Sequence, residues 1–301
     1  MVNRNRALFE IPEEKKLRVI FDSDVKNEVD DQFAIVHALL TESFDIRGIV
    51  PTHFGKEKSP HSQKDSEEEV RLLLQKLKLE DCVKIAGGAD SDFASMTGKE
   101  LPEGVRLIIE EARREKEKPL YLAFIGPLTD LAIALTAAPD IAGANIKVLW
   151  IGGLYTLEGG AEPNLKADVK AAQIVFDSQI ELWQIPRDVY SMLPVSFAEL
   201  YVKVRPYGEI GKYLSENVVA FNNSGMRKPT EYRVLGDSPT IGILLNENCG
   251  KWTIQKAPQI NDDMSCQKRS GERKIRVYES IDTRFILEDF YAKLQLFAER
   301  G

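Results

Sequence analysis

The sequence predicts an α/β protein: an open, mostly parallel sheet carrying helices on both faces. Three observations predict it. Short apolar runs rich in Val and Ile alternate along the chain with amphipathic stretches of helical spacing. At 301 residues and 43% apolar composition the chain can bury a substantial core. No low-complexity linker and no internal repeat divides it, so one domain over residues 1–301 is expected.

The elements follow in order. LRVIF (17–21) reads as the first strand, Asp31 to Leu40 as a helix, and DIRGIV (45–50) as the second strand. SEEEVRLLLQKLK has helical spacing, after which CVKIA (82–86) and PLYLAF (119–124) read as strands. LTDLAIALTAA is a helix, IKVLWI (146–151) a strand, DVKAAQIVFDS a helix, IELWQI (180–185) a strand, and KIRVYE (274–279) a late strand. Strand, helix and strand in succession make Rossmann-like βαβ units, hence a parallel sheet. From Tyr201 to Arg233, Pro206, Gly208, Gly211, Gly225 and Pro229 break the pattern into an irregular helical insertion, which either covers a site or elaborates the packing. Residues 258–271 are polar and read as a surface loop.

Charge and cysteine usage exclude several classes. A net charge of -7 and a pI near 5.3 lack the basic excess that nucleic acid demands of a main partner. Cys82, Cys249 and Cys266 form no CxxC pair, and no histidines stand at zinc-ligand spacing, so reduced thiols in a cytoplasmic protein are expected. The amino-terminal MVNRNRALFEIPEEKK lacks a signal-peptide apolar run, and no stretch approaches the roughly 18 apolar residues of a membrane span. Neither secretion nor membrane insertion is expected.

In open parallel sheets ligands bind beyond the carboxyl ends of the strands. Immediately after the first strand, Asp22, Asp24, Glu28, Asp30 and Asp31 place five carboxylates within ten residues. Such crowding is repulsive unless a cation or shared protons compensate. A solvated acidic turn with Asp30 or Asp31 capping the helix explains one carboxylate and leaves four. A hard divalent cation suits the rest, and calcium's flexible coordination tolerates ligands from distant strands. Other strand ends offer partners, each with a plainer reading beside it. Gly126-Pro127 turns sharply after a strand and exposes carbonyls near Ile125, or is an ordinary turn. Asp237 precedes an apolar helical run as a ligand or as its cap. Gly152, Gly153, Gly159 and Gly160 join a strand to a helix through Glu162, Asn164 and Asp168, in a loop that wraps a small polar ligand or is merely flexible, with Asp168 capping.

Taken together and in order, these segments resemble the inosine-uridine preferring nucleoside hydrolase family over nearly the whole chain. The resemblance rests on FDSDVKNEVDDQFAI, IGPLTDLAIAL, IGG followed by AEPNLKADVKAA, and GDSP. It implies a calcium ion held by Asp24, Asp31, Asp237 and the carbonyl of Ile125, with Asp22 supporting the metal from behind. It implies Asp30 as general base toward water and as a substrate contact. It implies that Glu162 and Asn164 bind ribose hydroxyls, in a homodimer or homotetramer serving purine or pyrimidine salvage. Asn27, His53 and Trp150 complete the expected substrate-contact set. His53 follows the second strand, and Trp150, Tyr155, Tyr190 and Tyr232 stand in segments near the site, where stacking on a leaving base and simple packing are both open.

Two departures mark a divergent branch with DxDxxNExDD. The loop between Asp24 and Asp30 is two residues longer than the commonest family form and carries Asn27-Glu28. Gly236 stands before Asp237 where well-known members often have a histidine that protonates the leaving base. The expected activity is hydrolysis of the N-glycosidic bond of a ribonucleoside or related small ribosyl compound. Two rivals are weighed against it. A haloacid dehalogenase-like magnesium phosphatase, with Asp22 as nucleophile, leaves the Asp30-Asp31 pair unexplained. A non-catalytic sugar-binding relative is separated by ribose release.

Overall fold

The computed structural model describes residues 11–114, 117–155, 159–225 and 228–300. The reading of the first ten residues therefore lies outside the described residues.

The strands are β1 Leu17–Ser23, β2 Phe44–Pro51, β3 Leu120–Phe124, β4 Ile146–Ile151, β5 Glu181–Ile185, β6 Pro194–Ser196, β7 Tyr232–Val234, β8 Trp252–Lys256, β9 Gln259–Ile260, β10 Cys266–Gln267 and β11 Lys274–Tyr278. The helices are α1 Asp31–Leu39, α2 Ser62–Leu77, α3 Phe93–Met96, α4 Glu103–Arg114, α5 Thr129–Ala137, α6 Pro163–Ala167, α7 Val169–Asp177, α8 Arg187–Tyr190, α9 Phe197–Lys203, α10 Gly208–Asn223, α11 Pro239–Leu245 and α12 Thr283–Arg300. Seven strands form the central sheet in the order β2-β1-β3-β4-β5-β11-β8, parallel throughout except where β8 runs against β11. The predicted open, mostly parallel α/β sheet is thus the observed one.

Alternation along β1 and β3 explains the two cores. Val19, Phe21, Tyr121 and Ala123 join one apolar layer with residues of α1, α2, α10, α11 and α12. Ile20, Leu120, Leu122 and Phe124 join the other, with α4, α5 and α7. Successive side chains of a strand point to opposite faces, so helices must cover both.

The chain leaves β1 for the edge strand β2 and then returns across β1 to β3. The strand order reverses there, and the crevice outside the carboxyl ends of β1 and β3 is where such a sheet leaves room for a ligand. Asp22 and Ser23 end β1, and Ile125 follows β3.

The segment 82–86 departs from the expected strand. It meets the β2 edge at an isolated bridge, Ile49 with Ile85, and the chain stays on that edge through the Gly88 N–H to the Pro51 carbonyl at 2.9 Å before the Ala89 N–H reaches Asp130 at 2.9 Å. Between Tyr201 and Arg233 the chain is more regular than its glycines and prolines suggest: α10 runs 16 residues and buries Ile210, Leu214 and Val218. Residues 258–271 hold the small β9-β10 ladder. No helix among the described residues is long and apolar enough to cross a membrane.

His37, inside α1, is structural. Its Nε2 lies 2.7 Å from Asp289 on α12, while Nδ1 is buried with no hydrogen-bond partner among the described residues. Burial is the largest cause that pulls its pKa down to about 4, against the opposing Asp289 contact. The unfolded chain therefore takes up this proton near pH 6.5 and the folded one only near 4, so stability is lost as pH falls through that interval. The stability advantage of the wild type over His37→Gln is expected to shrink by up to about 3 kcal/mol between pH 6.5 and 4, measured by urea unfolding at stepped pH.

Candidate active site

The site is built at the end of β1. Asp30 stands at the N-cap position of α1, yet its side chain makes no capping bond. Instead Oδ2 accepts the Gly236 N–H at 3.0 Å. Asp31 begins the helix and its Oδ1 accepts the Ser23 hydroxyl at 2.7 Å. Asp237 arrives from the turn before α11, whose N-cap is Ser238 with no side-chain bond. Capping thus accounts for neither Asp30 nor Asp237. One carboxylate oxygen from each of Asp30, Asp31 and Asp237 lies within 4.8 Å of the others.

Electrostatics show what this convergence costs. Burial, then the charges of Asp24 and Asp30, hold Asp31 well above the usual carboxylate range. Burial, then Asp31, Asp30 and Asp24, do the same to Asp237. Burial lifts Asp24 to about 7, against the Asn27 hydrogen bond and Lys58, which lower it. Burial and Glu28 lift Asp30 to about 6, against Arg233. Asp22 is fully buried, its oxygens meet no hydrogen-bond donor among the described residues, and burial followed by the charge of Asp130 raises it strongly. A buried, oxygen-only donor set short of N–H and O–H partners fits a hard divalent cation, because such ions take carboxylate and carbonyl oxygens.

The lengthened loop is braced from three sides. Asn27 Nδ2 donates to Asp24 Oδ2 at 2.8 Å, and Lys58 Nζ donates to Asn27 Oδ1 at 2.6 Å. Lys26 pairs at 2.6 Å with Glu69 on α2, which also accepts the Tyr213 hydroxyl of α10 at 2.5 Å. Glu28 pairs with Arg233 of β7. Asn27 accordingly contacts Asp24 rather than open space, and the irregular segment reaches the site through Tyr213 and Arg233.

A second set of residues lies beside the acids. Gly126 packs on Asp24, an ideal Cβ there coming 3.0 Å from Asp24 Oδ1. Asn164 Nδ2 donates to the Ile125 carbonyl at 3.2 Å and to the Ile151 carbonyl at 2.8 Å, tying the ends of β3 and β4 together. Glu162 is buried at the N-cap of α6, where Oε2 accepts the N–H groups of Leu165 and Gly153, each at 2.9 Å. Gly153 sits at φ 70°, a conformation that favours glycine and turns its N–H toward that carboxylate. Glu162 Oε1 accepts the Tyr190 hydroxyl at 2.9 Å. Asp168 caps α7 through the Ala171 N–H, the plainer of its two readings.

One expected substrate contact, Trp150, is corrected, while another, His53, keeps its ring Nδ1 without a hydrogen-bond partner among the described residues. Trp150 is fully buried, its ring against Phe176 and its indole N–H donated to the Gly126 carbonyl at 3.1 Å, so it supports that turn and shows no free face to a base. His53 is 1% exposed, with Nε2 on the Thr129 hydroxyl at 3.0 Å, which in turn donates to Asp168. Packing against the second helical layer claims Trp150, whereas the fold engages His53 through Nε2 alone. Lys58, Arg233 and the paired role of Tyr190 escaped the sequence reading, because each meets the site through a fold contact between distant residues and stands in no motif.

Comparison with known proteins agrees with this geometry. The family described as inosine-uridine preferring nucleoside hydrolase matches residues 19–287. The pyrimidine-specific ribonucleoside hydrolase RihA of Salmonella newport (strain SL254) is 26% identical over 199 residues, covering 58% of this chain and 61% of that protein. The non-specific ribonucleoside hydrolase RihC of Escherichia fergusonii is 33% identical over 107 residues, 35% of each chain. The match thus spans about three fifths of the length of RihA and less of RihC. Among solved structures, a plant nucleoside hydrolase, PpNRh1, superposes with a TM-score of 0.76 at 16% identity, covering 93% of this chain and 99% of that one. A purine-preferring ribonucleoside hydrolase from Gardnerella vaginalis gives 0.73 at 20%, covering 94% and 100%. These structural likenesses speak for the shared fold. With that family's model matching residues 19–287, the chain belongs to the inosine-uridine preferring nucleoside hydrolase family.

Proposed function

We propose that this protein hydrolyses the N-glycosidic bond of a ribonucleoside or related ribosyl compound, giving ribose and the free base. The observation that carries the reading is the convergence of Asp30, Asp31 and Asp237 within 4.8 Å beside Asp24, in a chain of this family. Asp24, Asp31, Asp237 and the Ile125 carbonyl are the residues that would hold a calcium ion. When bound, calcium supplies the positive charge that lets these carboxylates ionise together and the Lewis acidity that polarises oxygens beside it.

The chain's own residues supply the rest. Cleavage builds positive charge on the sugar, and a ring of carboxylates meets that charge with a preorganised field. Asp30 takes the proton from the attacking water as its oxygen bonds to C1 and the C–N electrons leave with the base. The Gly236 N–H fixes one Asp30 oxygen in place. Glu162 and Asn164, both buried and both braced by the backbone, hold the sugar hydroxyls. Gly236 offers no side chain to protonate the departing base, which suits a base that leaves readily or takes its proton from solvent. A single domain, assembly as a homodimer or homotetramer, and cytoplasmic work in nucleoside salvage belong to the same reading.

Family membership removes the support for a phosphatase. Incubating the protein with calcium and a panel of purine and pyrimidine nucleosides is expected to release reducing sugar from at least one of them. Absence of sugar from every member, with ribose still bound, would leave the non-catalytic relative as the better description.

A further inference from the structure

We propose that Tyr190, coupled to Gly236, is a positioning residue that aims Glu162 Oε1 at one hydroxyl of the sugar; this rests on the hydrolase reading above. Glu162 has two carboxylate oxygens. Oε2 is spent on the N–H groups of Gly153 and Leu165, so Oε1 is the atom left for a ligand, and the Tyr190 hydroxyl holds it at 2.9 Å. A carboxylate oxygen accepts more than one hydrogen bond, so the phenol fixes Oε1 while leaving it capacity for one sugar hydroxyl.

The ring is held as firmly as the hydroxyl. An ideal Cβ at Gly236 would come 3.0 Å from Tyr190 Cδ2, 3.5 Å from Cε2 and 3.2 Å from Asp30 Oδ2. Gly236 does not adopt a positive φ, so the missing side chain serves close packing and not an unusual turn. The same residue donates its N–H to Asp30. Glu162, Tyr190, Gly236 and Asp30 therefore form one contiguous path from the sugar-binding carboxylate to the proposed base. Tyr190 occupies the space that a side chain at 236 would otherwise take.

The test uses the full chain with calcium, D-ribose and its 2-deoxy and 3-deoxy forms as binding probes, and a nucleoside found to be cleaved. Tyr190→Phe keeps the ring and removes the hydroxyl. It is expected to weaken ribose binding and raise KM by about tenfold, the scale of one hydrogen bond to a charged group, while kcat changes less than about threefold. The preference for ribose over one of the deoxy sugars should narrow by the same factor, which general destabilisation would not produce. Gly236→Ala should move the ring by a few tenths of an ångström and weaken ribose in the same direction, and should weaken ribose binding no further in a Tyr190→Ala background, whatever its contact with Asp30 does to kcat. Ribose binding and KM unchanged in Tyr190→Phe overturn this assignment alone. A wild-type chain that binds no ribose overturns it together with the proposed function.

Discussion

Replacing Asp30 by asparagine is expected to lower kcat for ribose release by about 10²- to 10⁴-fold while the divalent ion stays bound. Asparagine is nearly isosteric, and its amide oxygen can still accept the Gly236 N–H that now lies 3.0 Å from Oδ2. What it cannot do is take a proton. Asp30 suits that task better than its neighbours: it is only half-buried, and burial with Glu28, opposed by Arg233, holds its pKa near 6, close to working pH yet ionised at neutrality. Asp31 and Asp237 are held well above the usual carboxylate range by burial and by the neighbouring acids, and a cation between them would offset that repulsion. The measurement pairs ribose release with elemental analysis of the purified variant. A rate near wild type removes the base role. Loss of the ion along with the rate would instead make Asp30 a ligand, the alternative that its place in the trio of carboxylate oxygens within 4.8 Å of one another supports, and would move the base role to Asp24.

How much of this was legible in the sequence differs by element. The strands that carry the site were readable because LRVIF, PLYLAF and IKVLWI are buried on both faces and show as apolar runs broken only by Arg18 and Lys147. The run 82–86 looks the same in one dimension, yet it meets the β2 edge at an isolated bridge, and edge pairing leaves no mark in local composition. The acids were readable because Asp22, Asp24, Asp30 and Asp31 cluster within a few residues, where repulsion demands an explanation. Asp237 was readable only through its family setting, being one carboxylate beside a helix start. Trp150 shows the limit from the other side: residue type and a place near a strand's end fit a ligand contact, but the side-chain direction that sends it into packing is set by neighbours far along the chain. Lys58, Arg233 and Tyr190 were hidden for the same reason, since their roles exist only as distances to residues 31, 205 and 28 positions away.

Asp237→Asn is expected to change the protein's stability in opposite directions with and without calcium. In the metal-free protein Asp237 sits beside Asp31, Asp30 and Asp24, and its pKa is raised first by burial and then by their charges. A carboxyl whose folded pKa exceeds its unfolded one contributes no penalty below about pH 3.9 and loses stability for the fold as pH rises through the folded value. Removing one such charge should therefore raise the metal-free melting temperature, by an amount that grows as pH rises above about 4. With calcium the sign reverses. An ion bound only to the folded state stabilises by about 2.7 kcal/mol at a hundred times its Kd, a rise of roughly 4 °C for a chain of this size. The variant, lacking one ligand, should forgo most of that rise and most of its activity with it. Thermal melts of both proteins, with a chelator and with millimolar calcium, read out all four states. A calcium-induced rise of equal size in the two proteins would show that Asp237 is not a ligand. A metal-free variant less stable than metal-free wild type would mean that the acids at this site do not repel one another, and with that the physical reason for placing a cation there would be gone.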